Sequence, residues 1–463
     1  MKNKLKTCLA AALAAVLLSG CGNSFVPPQT FGAIKPADDL YIENHYEGTA
    51  PTDEPVLKTV SSSDGLCVIR KKKSYYDVTL DLEHGTHRNV GKAYAEAIGK
   101  AYPDYAKVLE PYLYENITNA FSELHEDYSG VQKRIHTLAA ALDPDHRDEL
   151  EGFAEEISGG ETGFRADNRI SYDEAMLISL VPDALMPTNC SAVSLNGSRT
   201  ASGKRLNARI LEWDLGSGRE LCTAQCVVRF QNGEQSFTSV SILGILSVLT
   251  AVNRDGLMVG EFDVGSSSRD AYVCDGRKSY SFDLRRCLEQ FGSAREAGEY
   301  LVEQSGRYTF CVNVMLTDPD EALCAELICT DENDGHSLLR DGKTKLNDGV
   351  EWDDPETMCI VNSYAADGNF DGITGNTNNI VRWEKYRRLF CGCEKMTVGG
   401  FKERMTCEKQ GTDQTVTNFR SSGVVHMVIA DYADCTLQAV FAGMDETVDT
   451  PEFIALGSWK EGT

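Results

Sequence analysis

The spacing of hydrophobic positions changes once along the chain, at residue 190. Before it, apolar residues recur at helical intervals: Val90, Ala93, Ala97 and Ala101 share one face, and Ile135, Leu138 and Leu142 another. This predicts helices from Asn89 to about Ser158. Asp143 followed by Pro144 reads as a helix start, with the acid as cap and Pro at the first helical position; Gly159-Gly160 reads as the stop. Ser171 and Glu174 form a capping box for a helix running to Leu180 or slightly beyond. From Cys190 the period becomes two. Residues 191–195 predict a strand, Asn196-Gly197 and Ser202-Gly203 mark a turn region, and residues 205–213 predict the returning strand. A cysteine therefore opens a hairpin in mid-chain.

The alternation continues downstream. Strands are expected at 76–82, before the helices, and then at 223–230, 236–246 and 247–264, the last interrupted by a turn at 253–256. Further strands are expected at 311–316, 322–329 and 359–363, with a closing pair at 424–430 and 436–443. Two short helices, 281–290 and 293–303, each begin at a Ser, and Glu296 completes a capping box in the second. Helices set between groups of strands fit a sheet with helices packed on it.

The N-terminus adds a location. Lys2, Lys4 and Lys6 precede an apolar run from Cys8 to Leu18, which ends in Leu18-Ser19-Gly20-Cys21. This predicts a signal peptide over 1–20 ending in a lipobox, with Cys21 as the lipidated first residue; the run is too short to be a spanning helix. Buried acyl chains contribute about 0.8 kcal/mol per methylene, so a multiply acylated Cys21 would anchor the chain to the cell membrane, facing outside the cytoplasm. Residues 21–56, with Pro27, Pro28, Pro36, Pro51 and Pro55, read as a tether. The expected organisation continues with a helical prosegment over 57–189 and a catalytic unit over 190–463.

Charge and cysteine content narrow the chemistry. The net charge is −25, and the expected signal carries three more Lys and no acid, so the mature surface would be more acidic still. Such a surface disfavours nucleic acid as a partner. Of the 16 Cys, many sit in apolar runs (Cys287, Cys311, Cys324, Cys329, Cys359), where small buried thiols are the plain reading, although an exported chain permits disulfides. Cys391, Cys393 and Cys407 lack a second paired motif, and His84 and His87 flank Gly85 without a third ligand. No metal and no cofactor is expected.

Cys190 suits an enzyme whose nucleophile becomes a new N-terminus. If the Asn189–Cys190 bond is cut, one residue supplies a thiol and an α-amine of pKa roughly 7.7 to 8, which serves as base near neutral pH. A buried structural Cys at a strand start is the plainer alternative. The neighbouring residues bear on the choice. Cys-Ser-Ala-Val at 190–193, Ser-Gly-Lys-Arg-Leu at 202–206 and Ala-Arg-Ile-Leu-Glu-Trp at 208–213 resemble the N-terminal-nucleophile (Ntn) hydrolases, in the branch of penicillin acyltransferases, choloylglycine hydrolases and acid-ceramidase-like amidases. Glu149 to Glu155 is similar to the element preceding the nucleophile in that branch, and 252–260 to its Gly-Leu hairpin.

The resemblance implies an α+β fold, an Ntn-type αββα sandwich of two largely antiparallel sheets with helices outside. It implies Cys190 as nucleophile, Arg209 and Glu212 on the returning strand, Asn362 as an oxyanion-hole side chain and Arg382 as a site arginine. Asp263 falls where choloylglycine hydrolases keep an oxyanion-hole Asn, and an ionised carboxylate there would oppose an oxyanion. Strict alternation puts residues 209 and 212 on opposite faces unless the strand ends or bulges near Leu211. The implied activity is hydrolysis or acyl transfer at linear, non-peptide amide bonds of a small N-acyl substrate, after autocleavage between Asn189 and Cys190. The alternative is an uncleaved, inactive Ntn-like surface lipoprotein used for binding. No Gly-x-Ser-x-Gly elbow supports a Ser-His-Asp enzyme.

Overall fold

The computed structural model describes residues 45–124, 127–185, 188–264, 274–329, 335–369, 377–406, 423–444 and 450–460. The expected signal, Cys21, residues 21–44 and Cys407 lie outside them, and Asn189 is described by its backbone alone.

Three strands come first: β1 (Lys58–Ser61), β2 (Cys67–Lys71) and β3 (Tyr76–Asp81). Helices α1 (His87–Ala101), α2 (Tyr105–Leu124), α3 (Tyr128–Ala140), α4 (Pro144–Ser158) and α5 (Tyr172–Leu185) follow. Their ends obey the local signals. Asp143 accepts from the Asp145 amide, and Gly159 closes α4 at φ 59°. Ser171 and Glu174 cap each other reciprocally, at 2.7 and 3.2 Å, to start α5. Every residue of α5 after Tyr172 is buried, which makes it a central helix. Helices α1 and α4 touch backbone to backbone: a Cβ at Gly91 would stand 1.9 Å from the Glu149 carbonyl oxygen.

The chain then alternates. β4 (Thr188–Leu195), β5 (Leu206–Trp213), β6 (Gln225–Gln231), β7 (Phe237–Ile242), β8 (Thr250–Asn253) and β9 (Met258–Asp263) precede α6 (Tyr280–Gln290) and α7 (Ala294–Gln304). β10 (Val312–Thr317), β11 (Ala322–Leu327), β12 (Leu338–Arg340) and β13 (Thr357–Ile360) precede α8 (Thr377–Phe390) and α9 (Val398–Thr406). β14 (Val424–Asp431), β15 (Thr436–Phe441) and β16 (Ile454–Ser458) close the chain.

Two sheets result. The larger runs β1-β2-β3-β6-β7-β8-β9-β10-β11-β12, antiparallel except for the β3–β6 pair, and the smaller runs β13-β4-β5-β14-β15-β16. They face each other through β5 and its neighbours: Asn207 donates to Thr317 at 2.6 Å, Gln225 to the Ala442 carbonyl at 2.8 Å, and the Arg209 stem lies on Gly260. Helices α1, α6 and α7 pack on strands of the larger sheet. Trp383, Tyr386 and Phe390 of α8 and Phe401 of α9 share an apolar cluster with Val193, Ala208, Ile210 and Met427 on the outer face of the smaller sheet. The architecture is the expected αββα sandwich.

Several expected boundaries move. The strand expected over 236–246 ends at Ile242, because Gly244 turns the chain at φ 91° and its amide bonds to Tyr94. Residues 247–264 give β8 and β9 around Gly256, at φ 90°. The strand expected at 359–363 is β13, ending at Ile360. Helix α6 is capped by Ser279 rather than Ser281. The span 57–189 carries β1, β2 and β3 of the larger sheet besides its helices. The tether expected to residue 56 is bound from Tyr46 onward: its amide donates to Glu403 at 2.6 Å, its ring packs edge-on against Phe453, and Thr52 bridges to Ile454.

Candidate active site

Cys190 lies on β4 opposite Leu211 of β5, with its side chain in the layer between the sheets. The peptide bond before it is part of the strand, in register with Glu212 and Leu211. β13 pairs Ile360 with Ala192, and two residues further the same register puts Asn362 opposite Cys190. There the strand has ended. A side chain substitutes for the ladder: the Cys190 amide donates to Asn362 Oδ1 at 2.6 Å.

The other candidates converge on this point. Arg209 Nη2 approaches Cys190 Sγ at 3.2 Å, and also donates to the Glu261 carbonyl at 2.9 Å and to Glu261 Oε1 at 3.4 Å. From α8, Arg382 Nη1 donates to the Cys190 carbonyl and to Glu212 Oε2, both at 2.8 Å. Its Nη2 donates to Asn362 Oδ1 at 2.9 Å and to Asn379 Oδ1 at 2.6 Å. Asn362 Nδ2 donates to the Asp263 carbonyl at 2.8 Å. Two N–H donors on one oxygen of Asn362 and a carbonyl facing its nitrogen fix the amide orientation.

Three expectations change in detail. Arg209 and Glu212 do lie on opposite faces, and β5 keeps an unbroken register with β4; the irregularity sits across from them on β14, between Val424 and His426. Glu212 thus reaches Cys190 from behind, through Arg382. Asn362, expected as an oxyanion donor, uses its N–H on the Asp263 carbonyl and its oxygen on the Cys190 backbone nitrogen. The Asp263 carboxylate accepts from Tyr280 at 3.0 Å, so its ladder position serves the site through its carbonyl.

Electrostatics follow from burial. Burial pushes the Cys190 thiol up to about 12, with Arg209 pulling it down and Glu261 pushing it up. Burial likewise raises the Glu212 carboxyl against the pull of Arg382 and Arg209. Glu261, wholly buried and paired with Arg209, was missed by the sequence reading. Its signal was an acid inside the apolar run from Leu257 to Phe262. Among the described residues no cluster of His, Cys, Asp and Glu could hold a metal ion.

No family model matches the chain. No curated protein matches it. Among solved structures it is similar to an N-acylethanolamine-hydrolyzing acid amidase ortholog of Caenorhabditis elegans, with 13% identity and a TM-score of 0.34 over 52% of this chain and 92% of that one. It is similar to a variant of the conjugated bile acid hydrolase from Clostridium perfringens, with 9% identity and a TM-score of 0.34 over 58% and 94%. It is also similar to penicillin V acylase from Agrobacterium tumefaciens, with 13% identity and a TM-score of 0.33 over 55% and 83%.

Proposed function

We propose that the chain is a Cys-dependent hydrolase or acyltransferase of linear amides, activated by cleavage between Asn189 and Cys190. The supporting observation is that Arg209 meets the thiol of Cys190 while Asn362 and Arg382 hold the amide nitrogen and carbonyl of the same residue. A thiol held near 12 is protonated at neutral pH and needs a base. The base closest in covalent terms is the α-amine that cleavage would release, already seated by Asn362.

In the maturation step, Sγ attacks the Asn189 carbonyl carbon, its proton passes to the departing Cys190 nitrogen, and the C–N bond breaks. That break already frees the Cys190 amine; water then hydrolyses the resulting thioester, releasing the Cys190 thiol and leaving Asn189 as a new C-terminal carboxylate. In turnover the amine takes the thiol proton as Sγ attacks the substrate carbonyl and returns it to the leaving amine. Water or another amine then takes the acyl group. Arg209 stabilises the thiolate, and Glu212 keeps Arg382 in place.

The substrate we assign is a small N-acyl amide with an apolar acyl part, met at the cell surface by a chain anchored through Cys21. The acidic surface favours neutral or cationic amine leaving groups over anionic ones.

The test is intact mass of the purified chain, wild type against Cys190→Ala. The wild type should give two fragments, the second beginning at Cys190, and the variant one chain. Turnover in the variant should fall by on the order of 10⁴ or more. An uncut wild-type chain that turns over amides would overturn the N-terminal base, and an uncut chain with no turnover would favour the binding-protein reading.

A further inference from the structure

Thirteen cysteines lie among the described residues with no disulfide between them, most of them buried. One pair differs from the rest. Cys311 and Cys329 place their sulfurs 3.5 Å apart, both buried. Cys311 immediately precedes β10 and Cys329 follows β11 by two residues, so the two flank the open end of one antiparallel hairpin.

That end of the hairpin supports the candidate site. The Cys311 carbonyl accepts from the Val264 amide at 3.1 Å, next to Asp263, whose own carbonyl holds Asn362. On β10, Asn313 donates to the carbonyls of Val361 and Ser363, on either side of Asn362, at 3.1 and 2.9 Å. On β11, the Leu327 carbonyl accepts from Tyr364 at 2.6 Å. The residues that seat the nucleophile's nitrogen are thus braced by the two strands whose ends carry these thiols.

We propose that Cys311 and Cys329 form a disulfide when the chain folds in an oxidising compartment, tying the ends of β10 and β11 together behind Asn362. The sulfurs need to close by about 1.5 Å to reach bonding distance. In the reaction, one cysteine thiolate attacks a sulfur of an oxidised dithiol donor and expels the other donor sulfur as thiolate. The second cysteine then attacks the mixed disulfide. The S–S bond forms, both thiols lose their protons, and the donor leaves as a reduced dithiol with the electron pair. The hydrogen bond from Cys311 pushes the Cys329 thiol up, and burial adds to it, so Cys329 titrates far above an ordinary thiol. Exchange therefore occurs before the hairpin is packed, and the packed pair resists later reduction.

This inference goes beyond the reaction at Cys190 and does not depend on cleavage there. Its test uses the full chain made in an oxidising and in a reducing compartment, denatured, alkylated without reduction and mapped by mass spectrometry. The oxidised product should give a linked Cys311–Cys329 peptide, lighter by two hydrogens than the sum of the free peptides. Cys311→Ser should leave Cys329 open to alkylation, and the oxidised wild type should melt at a higher temperature than the reduced wild type. Full alkylation of both cysteines in the oxidised product, linkage of either to a different cysteine, or identical melting of the two forms would overturn it. Processing at Cys190, read by intact mass on the same samples, separates failure of this proposal from failure of the proposed reaction.

Discussion

Two arginines, Arg209 between the sheets and Arg285 under the helices, are equally buried and differently satisfied. Arg285 of α6 meets Glu149 of α4 with both terminal nitrogens, at 3.0 and 2.8 Å, and Glu289 through Nε at 2.9 Å. It lies on the Phe230 ring at 4.5 Å. His87 and His146 extend the network by hydrogen bonds, on Glu149 at 3.0 Å and on Glu289 at 2.8 Å. Arg209 spends Nη2 on Cys190 and Glu261, while its Nε and Nη1 find no acceptor among the described residues. A buried charge with its donors matched holds a structure together, whereas one with donors left over has field to spend on a developing anion. The difference fits Arg285 to stability and, on the proposed function, Arg209 to chemistry.

The sharpest way to break this comparison is to remove each guanidinium in turn. Arg285→Met strands the Glu149 carboxylate in a buried site and should destabilise the chain by about 3–5 kcal/mol, measured by urea unfolding. Arg209→Met also strands a buried carboxylate, Glu261, but the ion pair it loses is long, at 3.4 Å, and two buried N–H groups without acceptors go with it, so its stability should fall less. Its turnover should fall on the order of 10²–10³. A variant pair with the opposite split, Arg209→Met unfolded and Arg285→Met inactive but stable, would reverse the assignment.

The next effect is a pH dependence with two signs. Burial pushes the Glu289 carboxyl up, but Arg285 and His146 outweigh it and hold it down at about 2. This stability is present above the ordinary carboxylate range and is lost as pH falls toward 2. Asp183 of α5 behaves oppositely. Burial pushes it up to about 7, although Ser279, Ser281 and the Tyr280 amide all donate to it. Its contribution is fully present below about 4, its usual value, and is lost as pH rises toward 7. Asp183→Asn should therefore flatten the decline in unfolding free energy between about pH 4 and about pH 8. An unchanged slope would mean that Asp183 stays ionised.

Legibility in the sequence followed the range of each contact. The β4–β5 hairpin, the Ser171–Glu174 box and the Asp143–Pro144 start are decided within a few residues, and they are found where the pattern put them. Cys190 and Arg209 were legible through the family resemblance of the short hairpin that carries both, in which Arg209 pairs with Ala192, two residues beyond Cys190. Glu261 was not, since its partner is 52 positions away, and neither was Glu149, 136 positions from Arg285. The parallel pairing of β3 with β6 joins segments separated by all five early helices, with no local signal to announce it. The strand expected to run to residue 246 stopped early because Tyr94 and Ser179, both distant in sequence, take the amides of Gly244 and Leu246.

The smallest expected effect belongs to Asp263, the acid that sequence put beside an oxyanion. Its carboxylate is turned to Tyr280, and its carbonyl, which no substitution of the side chain removes, holds Asn362. Of the charges acting on the Cys190 thiol, Arg209 and Glu261 weigh more than Asp263. Asp263→Asn deletes a minor unfavourable field and keeps a group that can still accept from Tyr280. Turnover should therefore change by no more than about threefold, under 1 kcal/mol of barrier, and in the direction of a lower thiol pKa, read from the pH dependence of alkylation at Cys190. A loss as large as that of Arg209→Met would move Asp263 from the rim of the network to its centre, and would mean that the carboxylate turns from Tyr280 to the thiol during the reaction.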